Sequence, residues 1–66
     1  MSSIGIEFPR ELLRCQELAA TYRELGTPGA FAAAVVAAVV YEAQTAWESQ
    51  DIVAIVRAFK RMKECA

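Results

Sequence analysis

Sixty-six residues with seven Lys plus Arg against eight Asp plus Glu make one small, near-neutral domain, too short to hold separate cofactor and substrate halves. Apolar residues make up 56% and charged residues 23%, which excludes charge-driven disorder and places the chain among sequences that collapse around a core. Histidine is absent and the two cysteines, Cys15 and Cys65, stand fifty positions apart, so histidine triads and Cys/His zinc sites are excluded and no metal or cofactor is expected.

Residues 1–7 lack the basic start and long apolar stretch of a secretory signal, and cytoplasmic residence is the expectation. Ile4, Ile6 and Phe8 alternate with Gly5 and Glu7, a period of two that predicts a short extended arm over residues 1–8. Pro9 suits a first helical position and Gly26 a left-handed stop, which bounds a first helix at about residues 9–25. Its apolar stripe is Leu12, Cys15, Ala19 and Tyr22, widened by Leu18 and Leu25. Gly26-Thr27-Pro28-Gly29 is a compact stop-and-restart signal in which the Thr27 hydroxyl is expected to cap a second helix over residues 28–48. Ser49 and Asp51 are N-cap candidates for a third helix over residues 51–65, where Ile52, Ile55, Val56, Phe59 and Met62 form one stripe and Arg57, Lys60, Arg61 and Glu64 the other. These elements predict an all-α, three-helix up-down-up bundle.

The second helix is the most informative element. From Leu25 to Tyr41 the chain carries no charge, and from Ala30 through Val40 no face of the helix bears a polar side chain. Glycines, Pro28 and many alanines shorten its purely apolar part below a membrane span of roughly 20 residues, so a covered helix in a soluble protein is expected. Two amphipathic neighbours leave a sector of a central helix open, and domains below roughly 70 residues usually need a disulfide, a metal or a partner chain. The first two are excluded here, which leaves self-association: a homo-oligomer, most simply a dimer, with Phe31, Ala34, Val35, Ala38 and Val39 as the interface. An intrachain disulfide is not expected. Cys15 would lie about 9 Å into its helix and Cys65 about 20 Å into its own, a mismatch beyond the roughly 7 Å limit on Cα separation.

No residues announce catalysis. The carboxylates are scattered, and metal-binding, phosphate-loop and nucleophile motifs are missing, so the chain is read as non-enzymatic. Tyr41 and Trp47 are amphipathic rings suited to a rim, where they would meet a host or phage protein partner. Arg57, Lys60, Arg61 and Lys63 concentrate four of the seven cations in the last ten residues. That edge supports an alternative reading as a nucleic-acid-binding regulator, set against a pI near 5.3 and the ordinary preference of helix C-termini for cations.

Phe8-Pro9-Arg10-Glu11-Leu12, Gly26-Thr27-Pro28-Gly29-Ala30-Phe31, and Asp51-Ile52-Val53-Ala54 followed by Arg57-Ala58-Phe59 together resemble a group of short proteins from phages and prophages of proteobacteria. In that group Ser-Gly-Asp more usually precedes the last helix, and here Gln50 stands where glycine is usual. The resemblance implies a phage setting and carries no catalytic or binding residues. The sequence therefore predicts a small homo-oligomeric interaction or accessory module.

Overall fold

In a computed structural model, which describes residues 3–66, the chain forms three α-helices: α1 (Ile4–Glu24), α2 (Thr27–Ser49) and α3 (Ile52–Glu64). Short turns reverse the chain twice, so α1 and α3 run in the same direction, and α2 shares more contact with each of them than they share with one another.

The predicted arm is instead the start of α1, apart from residues 1 and 2, which lie outside the described residues. Ile4, Phe8, Leu12, Cys15, Ala19 and Tyr22 recur at steps of three and four and extend the helical stripe back through the apparent alternation. Phe8 holds the stripe in place: its ring is 1% exposed and stacks on Trp47 of α2 at 4.8 Å and on Phe59 of α3 at 6.3 Å. An interior proline costs a helix about 3 kcal/mol, and full burial of a large apolar side chain such as Phe8 returns about as much. Pro9 and Gly5 both face solvent, so the Gly5 carbonyl that Pro9 cannot serve is left to water.

At the first turn Gly26, with φ of 71°, is the N-cap of α2, and Thr27 lies inside the helix without capping it. Gly29 is buried, and a Cβ there would stand 2.1 Å from the Tyr22 carbonyl oxygen. The first turn of α2 thus rests directly on the backbone of α1, which no side chain larger than hydrogen permits. At the second turn Gln50 adopts φ of 60°, and the Asp51 carboxylate accepts from the Val53 N–H at 3.0 Å, the cap expected for α3.

The helices differ in length: 21 and 23 residues for α1 and α2, 13 for α3. Because α3 starts beside the N-terminal end of α1, it stops about 12 Å short of the α1–α2 turn. Arg14 ties its end to α1, donating to the Met62 carbonyl at 2.6 Å and to the Glu11 carboxylate at 2.7 Å. Tyr22 donates its hydroxyl to the Ala66 carbonyl at 2.5 Å.

The longer α1 also corrects the cysteine register. Counted from Ile4, Cys15 lies about 17 Å along its helix and Cys65 about 20 Å along its own, so the two fall at one level. Cys15 Sγ is 3.5 Å from the Met62 carbonyl oxygen, which also accepts from the Cys65 N–H at 3.1 Å. Both thiols are free.

Candidate interaction surface

The two sides of α2 carry similar residues and meet different surroundings. Ala33, Val36, Val39, Val40, Ala43 and Ala46 face α1 and α3 and are buried. At 100° per residue the opposite side presents Phe31, Ala34, Val35, Ala38 and Tyr41, all exposed, with Phe31 at 81%, Tyr41 at 71% and Val35 at 47%. Of the predicted interface residues, Phe31, Ala34, Val35 and Ala38 therefore share one outward face.

Val39 does not join them. It is 5% exposed and belongs to the core, because one helical step past Ala38 turns the side chain inward with Val36 and Ala43. Trp47 is also drawn inward: half-buried and stacked on Phe8, it spends most of its surface on the bundle rather than on a rim. Tyr41 remains outward. On α3, Ile52 and Val56, expected in the apolar stripe, are exposed together with Val53, while Ile55, Ala58 and Met62 fill the core.

Arg57, Lys60, Arg61 and Lys63 are all exposed on α3, but two of them already have partners within the chain. Arg61 pairs with Glu42 of α2, and Lys63 Nζ sits 5.1 Å above the Phe59 ring, a cation–π contact. Arg57 and Arg61 line one side of an open groove between α2 and α3, of about 540 Å³, whose other side is Tyr41, Thr45 and Ala46. A second groove, of about 410 Å³, opens where α3 stops short, between Tyr22, Phe31, Val35 and Val36. Both are apolar in lining and open to solvent.

Away from the grooves, burial pushes the Cys15 thiol up, and the hydrogen bond to Glu11 raises Arg14 further. Among the described residues no three His, Cys, Asp or Glu side chains gather as a metal site would require, and no buried side-chain polar atom lacks a partner. The outer side of α2 offers apolar area and shape.

Residues Thr27 and Thr45 escaped the sequence reading of this face, yet both are exposed in line with Phe31, Ala34, Ala38 and Tyr41. Their signal was the spacing, which counted over all six positions alternates four and three. Thr27–Ser49 is also long and apolar enough, at mean hydropathy 1.4, to meet the length-and-composition criterion for a membrane span, although its inner side is built into the bundle.

No protein-family model matches the chain, and no curated protein or solved structure matches it. The functional reading rests on the surface itself.

Proposed function

We infer that the protein is a small non-enzymatic interaction module that works as a homodimer in the cytoplasm, its outer α2 face covered by another copy. The phage setting implied by the sequence resemblance fits an accessory factor of this size. One observation carries the reading: Phe31 stands 81% exposed in the middle of a charge-free segment, on a face continuous with Ala34, Val35, Ala38 and Tyr41. Single exposed apolar residues are ordinary, whereas a contiguous apolar face marks a binding surface.

Light scattering coupled to size-exclusion chromatography tests this. The protein is expected at twice its 7.2 kDa chain mass. Ala38→Glu, which places a charge on the outer face, is expected at the single-chain mass with unchanged helical circular dichroism. A well-folded single chain at hundreds of micromolar would contradict the reading.

A further inference from the structure

The corrected cysteine register brings two free thiols to one corner of the bundle. Cys15 Sγ rests 3.5 Å from the Met62 carbonyl oxygen and Cys65 Sγ 3.6 Å from the Arg61 carbonyl oxygen, so the two sulfurs sit on successive carbonyls of the last turn of α3. Arg14 reaches into the same corner, its Nη2 2.6 Å from the Met62 oxygen and 3.8 Å from Cys15 Sγ. Burial does most to push the Cys15 thiol up and the Arg14 charge opposes it; Cys65 adds to the rise through its charge and a side-chain hydrogen bond, as neighbouring sulfurs do.

We propose that Cys15 and Cys65 are a redox couple, oxidised by a small-molecule disulfide of the glutathione type to an intrachain disulfide that fastens the end of α3 to α1. The proposal goes beyond the dimer reading and does not depend on it, because both sulfurs belong to one chain.

The two thiols differ in the way such a reaction requires. Cys65 is half-buried and lies just past α3 in extended backbone, where a reagent can meet it, whereas Cys15 is 0% exposed and has its neighbour as the route to oxidation. Cys65 Sγ attacks one sulfur of the glutathione disulfide, whose S–S bond breaks, and the first glutathione leaves as a thiol with the Cys65 proton. Cys15 Sγ then attacks Cys65 Sγ, the mixed disulfide breaks, and the second glutathione leaves with the Cys15 proton. Two protein thiols have lost two electrons and one glutathione disulfide has gained them. Arg14 favours the Cys15 thiolate that the second step needs inside a buried site.

The place of the bond sets its effect. Helices α1 and α3 share less contact with each other than either shares with α2, so a covalent link there reinforces the least-packed seam of the bundle. It also closes about fifty residues into a loop in the unfolded chain, where a crosslink removes much conformational freedom.

Equilibration of the reduced protein with glutathione disulfide, followed by intact mass, peptide mapping after alkylation and a thermal melt, tests the proposal. The chain is expected to lose two hydrogens and keep no glutathione, with Cys15 and Cys65 in one linked peptide. Tm is expected to rise by about 10 °C or more and to return with dithiothreitol. Cys65→Ser, which changes one sulfur outside the buried core, is expected to show neither the mass loss nor the rise. A glutathionyl group that stays on Cys65, a Cys65–Cys65 link between chains, or an unchanged mass would overturn the couple. An intrachain link that leaves Tm where it was would overturn the fastening of α3. None of these results bears on whether two copies pair through α2, which light scattering of the reduced protein reads separately.

Discussion

Ala33, Val36 and Ala43 on one side of α2, and Ala34, Val35 and Ala38 on the other, are the same residue types within one helix, yet the first set is enclosed by α1 and α3 and the second faces solvent. The difference teaches that composition fixes how much of a helix must be covered, while the lengths and directions of its neighbours fix which side they cover. Two neighbours enclose the inner side, and α3 ends early enough to leave Phe31 and Val35 open beyond it.

The sharpest contrast comes from aromatic truncation on the two sides. Phe8→Ala, which empties the space between Trp47 and Phe59, is expected to cost about 3–5 kcal/mol and leave a domain this small largely unfolded in a thermal melt. Phe31→Ala removes an equal ring from the outer side and is expected to keep the helical signal, losing instead the dependence of Tm on protein concentration. Equal losses of helicity in both variants would erase the distinction between the two sides.

Gly29→Ala tests the close approach that sets the angle between α1 and α2. Its new methyl meets the Tyr22 carbonyl oxygen, a backbone atom that cannot swing away, and a loss of about 2 kcal/mol or more is expected in denaturant unfolding. An unchanged midpoint would mean that the turn is looser than described.

Gln50→Gly acts in the opposite sense and more weakly. Gln50 holds φ of 60°, which glycine adopts without a Cβ penalty, so a gain of up to about 1 kcal/mol is expected after allowing for glycine's greater freedom in the unfolded chain. A loss of stability would show that the Gln50 side chain, which donates to the Trp47 carbonyl at 2.6 Å, matters more than its backbone.

The smallest effect lies in the thiols. Burial pushes Cys15 up, so the unfolded chain releases that proton more readily than the folded one, and stability is expected to fall as pH rises through the ordinary thiol value near 9. Below it the contribution is complete. At neutral pH iodoacetamide should modify the half-buried Cys65 and spare Cys15.

Much of this was legible in the chain before its coordinates. The breakpoints near Gly26 and Asp51, the three helices and the surplus of apolar surface on α2 all followed from glycine, capping and periodicity. The N-terminal arm did not, because Ile4, Ile6 and Phe8 satisfy period two and period 3.6 equally over five residues; only tertiary burial of Phe8 decides between them. That one misplacement also misaligned Cys15 with Cys65. Val39 was assigned outward for a related reason: when every side of a helix is apolar, residue type no longer reports direction, and the neighbouring helices do. Trp47 and Arg61 carried amphipathic and charged surface signals, and the bundle had already engaged both, one by stacking and one by an ion pair.

The account depends above all on a second chain covering the side of α2 that α1 and α3 leave open. Sedimentation equilibrium from about 1 µM to 1 mM tests that claim most directly, since that span covers weak to moderate self-association. A reversible rise from one to two 7.2 kDa chains, ending at two, is the predicted result. A folded chain that stays single across the whole range would contradict it.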